Sequence, residues 1–252
     1  MRVPLAQQAQ DLLGQSDLVI ITERVDDVAL LVGQMVTMGF GEVLDRHLPR
    51  HGKQRGMRWG WTAVIWLASL LTEGDHRKVT VETYIKGMPH TLSRLTAQGI
   101  EPLDCRDDRL GHLLHHVSQP TYWPQIERDL HARSIEVYAL SQDVIRGDAT
   151  TVSGEHEVPA GGLWQCGQSQ DDPTRPHSKG MMGSLDPLGM PLATDGRSGE
   201  RADDGFSIPV IDRIRRGRKH SGWLCVGEGQ MRAWDTRASR VGHQQRSLSP
   251  LP

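Results

Sequence analysis

Asp143-Val144-Ile145-Arg146-Gly147-Asp148-Ala149-Thr150-Thr151-Val152-Ser153-Gly154 decides how this chain is read. It predicts the first strand of a mixed α/β core. Strand side chains alternate between faces, so Val144, Arg146 and Asp148 share one face while Ile145 and Ala149 share the other. Asp148 stands late in the strand. A buried charge is costly unless something pairs with it, and a metal ion is one such partner. Pairing with Arg146, or capping the turn that follows, is the alternative.

C-terminal to this strand the pattern is one of strands and glycine turns. Leu163 to Cys166, after Gly161-Gly162, is predicted as a second strand, and Lys179 to Leu185 as a third. Asp186-Pro187-Leu188-Gly189 suits a type I turn, with Pro second and Gly fourth. Met190 to Thr194 then returns antiparallel. Asp203 and Asp204 precede a helix from about Ser207 to Arg216, with Pro209 near its first turn. The short apolar run Leu224-Cys225-Val226 follows, as expected of a strand covered on both faces. The intervening helix supplies the crossover that a parallel pair requires. This order is the opening half of a ribonuclease H-like core. Such a core carries acids on its first strand and at the end of the strand after the helix, where Asp148 and Glu228 stand. Glu228 also reads as a plain turn residue. The basic cluster Arg213, Arg215, Arg216, Arg218 and Lys219 either complements a helix C-terminus or touches DNA backbone.

N-terminal to the strand the period is helical. Residues 1–23 show little periodicity and read as a lead-in. Val28, Leu31, Val32 and Met35 follow helical spacing, with Gly39 and Gly41 as its end. Around His47 to Arg58 lie Arg46, Arg50, Lys53, Arg55 and Arg58, a solvated connector or a loop that contacts phosphates. Trp61 to Leu71 is apolar on nearly every side and reads as a buried central helix. Val81, Tyr84, Ile85 and Met88 form an amphipathic stripe that Pro89 interrupts, and Leu92 and Leu95 extend it. Asp107 and Asp108 suit an N-cap before Leu110, Leu113, Leu114 and Val117. Pro120 suits the start of a helix holding Trp123, Ile126 and Leu130. Residues 24–138 thus predict an all-helical domain of about five helices, and residues 140–252 a partial catalytic domain. His112, His115 and His116 have a spacing that metal ligands use, but no HExxH accompanies them. Surface histidines near a helix C-terminus fit as well.

Composition narrows the classes. Of 252 residues, 37% are hydrophobic and 24% charged, which fits a folded chain of one large or two smaller domains. The net charge is −2, so any basic nucleic-acid surface must be local. Cys105, Cys166 and Cys225 lie far apart and form no zinc spacing, which fits reduced thiols. The apolar run Trp59 to Leu71 is too short to span a bilayer, and Met1 to Leu13 lacks the blocks of a signal peptide. The expectation is a soluble cytoplasmic protein with no membrane partner.

Several blocks carry a more specific likeness. They are Gly60-Trp61-Thr62-Ala63-Val64-Ile65-Trp66-Leu67, Glu73-Gly74-Asp75-His76-Arg77-Lys78, Pro102-Leu103-Asp104 and Asp107-Asp108-Arg109-Leu110. Asp148 to Gly154, Met182 to Leu192 and Ser198 to Asp204 join them. Together, from about Ile20 to Ala238, the chain resembles bacterial insertion-sequence transposases of the DDE type. The resemblance implies a helical DNA-binding domain, a ribonuclease H-like catalytic domain and an Asp, Asp, Glu triad holding two Mg²⁺ or Mn²⁺ ions. Its partners would be double-stranded DNA at insertion-sequence ends, and a second copy or an intact transposase. Asp148 matches the first acid. The second position departs from the pattern. The family's Gly-Asp, followed by Lys and Met, is here Gly227-Glu228-Gly229-Gln230-Met231. Glu228 reaches one methylene further than Asp, and such sites tolerate displacements of about half an ångström. The third acid, a Glu, should fall beyond Pro252. The expectation is therefore a truncated transposase, inactive in cleavage, or a DNA-binding or regulatory remnant of one.

Overall fold

The computed structural model describes residues 21–50, 56–167, 172–185, 188–201, 207–216, 222–226 and 230–234. The chain is a mixed α+β protein. Its helices are α1 (Val28–Thr37), α2 (Phe40–His47), α3 (Trp59–Glu73), α4 (Val81–Gly87), α5 (Pro89–Thr96), α6 (Asp107–Val117), α7 (Trp123–Val137) and α8 (Ser207–Arg216). Its strands are β1 (Val144–Ser153), β2 (His177–Leu185), β3 (Met190–Ser198), β4 (Gly222–Val226) and β5 (Gln230–Trp234). Contacts divide the chain into two compact units, residues 1–33 with 55–111, and residues 34–54 with 112–252.

In the first unit the apolar patterning acts as anticipated. Val64 and Ile65 of α3 are buried, and so are Val81, Tyr84, Ile85 and Met88 of the α4 stripe. Pro89 separates α4 from α5, where Leu92 is fully buried. Each such side chain contributes about 1.5–3 kcal/mol through burial. Leu71, on α3, is an exception at 64% exposure, so the helix is buried along most of its surface and not all of it.

The helix count differs from the sequence expectation: seven α-helices, α1 to α7, lie among the described residues before β1. Gly39 does end α1, in the left-handed region at φ 64°. A side chain would be strained there, and glycine is not. Gly41 does not end a helix; it lies within α2. Asp107 and Asp108 stand inside the first turn of α6, where carboxylates favour the helix dipole, and do not precede it. The last predicted helix opens at Trp123 with Pro124 in its first turn, not at Pro120. Proline at either place lacks an N–H that the first turn would leave without a partner.

In the second unit the strands form one sheet in the order β3-β2-β1-β4-β5. β1 and β2 are antiparallel, with Ile145 opposite Leu185 and Asp148 opposite Met182. β2 and β3 are antiparallel, and β1 and β4 are parallel. The helix expected between β3 and β4 is α8, so the parallel pair has its crossover. β5 was not foreseen: it turns back antiparallel on β4. The expected strand Leu163 to Cys166 is reduced to a single bridge between Gln165 and His177. Its Gly and Pro neighbours leave too short a run to add a ladder.

One face of the sheet is the core. Ile145, Met181, Leu185, Leu192 and Ala193 pack with Val210 and Ile214, which lie one turn apart on α8. The register slips between Gly183 and Ser184, leaving Leu192 as the extra residue. That bulge turns Leu192 and Ala193 both inward, which strict alternation forbids. Ile135 of α7 also packs against this core.

Candidate functional site

Asp148 stands on the face of β1 opposite the core. Its neighbours in sequence show the alternation: Ile145 and Gly147 are buried, whereas Arg146 and Asp148 are exposed. The predicted faces hold, but the burial cost assumed for Asp148 does not arise. Its Oδ1 accepts the Ala149 backbone N–H at 2.9 Å. Across the ladder stands Met182, itself 43% exposed. On the other side, Gly147 is in register with Val226 at the described end of β4. Asp148 therefore projects from an open sheet surface one residue beyond the last β1–β4 pair.

Glu228, the second expected acid, lies outside the described residues. Among the described residues no group of three or more His, Cys, Asp or Glu side chains is placed to hold a metal ion. Asp148 supplies one hard oxygen donor of the kind Mg²⁺ and Mn²⁺ prefer. A two-metal centre needs several such donors, so the described residues alone do not fit it.

The histidines of α6 form a loose surface group. The rings of His115 and His116 are 5.9 Å apart, and His116 meets Tyr122 edge-on at 6.4 Å. Partial burial, then the neighbouring His115 and His112, hold the His116 pKa below its usual value.

The basic residues have mixed fates. Arg46 and His47 both engage Asp129 of α7, at 2.9 and 2.8 Å. Arg58 and Arg50 are exposed, and Lys53 and Arg55 lie outside the described residues. Arg213 is partly buried, its side chain 23% exposed. Its guanidinium lies against Glu127 of α7 at 3.2 Å and donates to the Thr194 carbonyl of β3. Arg218 and Lys219 lie outside the described residues.

Charged residues of the motif blocks in the first unit form ion pairs and hydrogen bonds with one another, with Arg24 and with the backbone. In Glu73 to Lys78, Glu73 pairs with Arg24 at 2.8 Å, Asp75 with Arg77 at 2.7 Å, and Lys78 with Asp107 at 3.1 Å. The Arg77 guanidinium holds the Asp75 carboxyl well below the usual range. Asp104 is buried; one oxygen accepts the Met57 N–H at 3.1 Å and the other the Glu101 N–H at 3.0 Å. Arg109 stands 3.7 Å from Asp104, donates to the Met57 carbonyl and lies over the Trp59 ring. These residues tie the start of α3 to the 3₁₀ turn at Pro102–Cys105 and to α6.

Sequence reasoning missed Glu127. It is only 4% exposed, yet burial raises its pKa and it bonds the Thr194 N–H at 2.9 Å. A signal existed: Glu127, His131 and Ser134 recur at helical spacing along α7, a polar stripe on a helix that has a core to face.

No protein-family model matches the chain, and neither a curated protein nor a solved structure gives a significant match. No single helix among the described residues is long and apolar enough to cross a membrane.

Proposed function

We propose that this chain descends from a DDE-type insertion-sequence transposase, binds double-stranded DNA, and has lost most or all of the cleavage and strand-transfer activity. The observation that supports descent is the placement of Asp148. It projects from the middle strand of a β3-β2-β1-β4-β5 sheet, beside the end of a parallel β4 reached through a helical crossover. That arrangement agrees with a ribonuclease H-like core and with acids gathering at the adjacent ends of β1 and β4. The antiparallel β5 is a departure from it. The sequence blocks that resemble the family carry the rest of the reading.

Loss of activity is favoured by the donor set. Glu replaces Asp at position 228 and Gln replaces Lys at position 230, so a longer carboxylate stands where geometry is exacting and a cation is gone. Mg²⁺ or Mn²⁺ would be the cofactor of the ancestral chemistry, with Asp148 and Glu228 as its ligands. A remnant of this kind retains two uses: binding insertion-sequence ends, and pairing with an intact transposase.

The test is a mobility shift with duplex DNA carrying insertion-sequence ends, run beside a strand-cleavage assay in Mn²⁺. The expected result is a shift that weakens as salt rises, because phosphate contacts release counterions. No strand cleavage is expected. Absence of binding at low salt would remove the DNA reading. Cleavage that disappears in Asp148→Ala would overturn the loss of activity.

A further inference from the structure

His177, the first residue of β2, is fully buried. Both of its ring nitrogens face backbone carbonyls. Nδ1 stands 3.1 Å from the Arg175 oxygen, and Nε2 stands 3.1 Å from the Gly199 oxygen. A carbonyl oxygen only accepts, so each nitrogen bonds its partner only by carrying a proton. The neutral ring has one N–H and the imidazolium has two. Both bonds together therefore require the imidazolium. In the neutral ring a bare nitrogen would face an oxygen, and buried polar groups left without a partner are costly.

The two carbonyls belong to separate segments. Arg175 lies in the β1–β2 connection, and Gly199 is the first residue after β3. The His177 backbone also exchanges two bonds with Gln165 of that connection, at 3.1 and 3.0 Å. Glycine at 199 lets the turn reach the ring. A Cβ there would stand 2.3 Å from the His177 oxygen, 2.6 Å from the Gln165 oxygen and 2.7 Å from the ring Cδ2. We propose that His177 is a proton-operated clasp. As the imidazolium it ties the β1–β2 connection to the turn after β3; as the neutral ring it releases one of the two. The device is independent of any activity at Asp148.

The elements around the ring carry charges of both signs. On β2, Lys179 stands two residues along the same face and donates to the Arg201 carbonyl at 2.9 Å. On β3, Arg197 is in register with Lys179. Glu200 and Arg201 follow Gly199, and Asp172 and Arg175 precede the ring in the connection. β1 places the uncharged Ser153 opposite His177. The other imidazole of the connection is His156, stacked on Trp164 with ring centres 3.7 Å apart. A buried charge is costly, and two charge-assisted bonds offset that cost only while both are made. The sign follows: the second proton makes the second bond, so the clasp is complete at low pH and half undone as the pH rises.

The test reads the ring and the backbone of the full chain at about pH 5 and about pH 8, the range in which imidazoles change charge. With ¹⁵N-labelled histidine, His177 should show two slowly exchanging ring N–H groups at the lower pH and one at the higher. The same number at both, whether one or two, overturns the clasp. Amide exchange, corrected for its intrinsic pH dependence, reads the release. The Gly154 N–H bonds the Pro176 carbonyl on the connection side, and the Arg201 N–H bonds the Ser198 carbonyl on the turn side. One of these amides should lose about tenfold in protection as the pH rises, the weight of one charge-assisted bond. That step should vanish in His177→Gln and persist in His156→Gln. A step that persists in His177→Gln, or vanishes in His156→Gln, overturns the proposal. If His177→Gln does not fold, the wild-type ring spectrum decides alone, its signal assigned by contact with the Gly199 α-protons.

Discussion

Gly183 of β2 lies directly against Ile214 of α8: a Cβ added at Gly183 would stand 2.3 Å from Ile214 Cδ1 and 3.4 Å from Val210 Cγ1. The helix reaches the sheet here because no side chain intervenes. Ile214 belongs to the core at 4% exposure, so its Cδ1, the free end of a flexible side chain, must turn within a packed site to clear the clash. Gly183→Ala should therefore destabilise the chain by about 1–3 kcal/mol, the usual cost of overpacking. Adding Ile214→Val, which removes the crowded Cδ1, should recover part of that loss. Urea unfolding of the single and double variants measures the coupling. Additive losses would show that the helix does not rest on Gly183.

Strands and helices were largely legible in the sequence because their periods differ. Ile145 alternates with Arg146, and Val81, Tyr84, Ile85 and Met88 recur at helical spacing; both patterns became faces with the expected burial. What escaped were features without a period. α2 escaped because Gly39 and Gly41 stand so close that both looked like terminators, and only Gly39 takes a left-handed conformation. The bulge at Leu192 escaped because one extra residue breaks the alternation on which the reading rests. Of the two expected site residues, only Asp148 lies among the described residues. Its position on the strand followed from the pleat, while its exposure depended on which sheet face α8 chose. The partners of Arg213 were not legible at all, since the same arginine fits a surface cluster and a buried pair until tertiary structure decides.

Burial divides the two cysteines whose side chains are described, Cys105 and Cys166. Cys105 is fully buried beside Asp104, and burial first, then that carboxylate, push its thiol up to about 12. A thiol that stays protonated does not attack alkylating reagents. Cys166 is exposed. Iodoacetamide at pH 8 should label Cys166 in the folded chain and leave Cys105 intact, with Cys105 reacting only on unfolding. Asp104→Ala should change this. It leaves the Met57 and Glu101 N–H groups without their acceptor, at about 1–3 kcal/mol for each buried group left unsatisfied, and removes the carboxylate beside Arg109. Cys105 should then become labelled through local opening. Peptide mapping by mass spectrometry reads both sites. Equal labelling of the two cysteines in the native wild-type chain would contradict the buried turn.

Acid should loosen α7 through His131. Burial first, and then the positive Arg213, lower the His131 pKa from 6.5 to about 4. The folded state therefore prefers the neutral ring. The resulting stability is complete above pH 6.5 and is lost as pH falls from there toward 4, amounting to about 3 kcal/mol at most. Glu127 on the same helix acts with opposite sign. Its raised pKa means that protonation favours the fold, so its contribution is lost as pH rises through the folded value. The two slopes overlap in the raw profile and separate in a difference. Subtracting the stability profile of His131→Gln from that of wild type should leave a slope confined to the window between pH 6.5 and 4. A flat difference would show that His131 is hydrated in the folded chain.

Asp148 should be dispensable for the fold. It is exposed, its bond to the Ala149 N–H is local, and the core lies on the other face of β1. Surface substitutions away from buried features change stability by about 0.5 kcal/mol or less. Asp148→Ala should unfold within that margin of wild type, in contrast to Ile145→Ala, which empties a core position and should cost about 2–5 kcal/mol. The comparison matters because the two residues share a strand and stand on opposite faces of it. A carboxylate that supported the fold would be explained by that alone. If Asp148→Ala cost as much as Ile145→Ala, the aspartate would be a structural residue, and the case for acids gathering at the ends of β1 and β4 would lose its anchor. A neutral outcome leaves an open-faced carboxylate whose placement the stability of the fold does not explain.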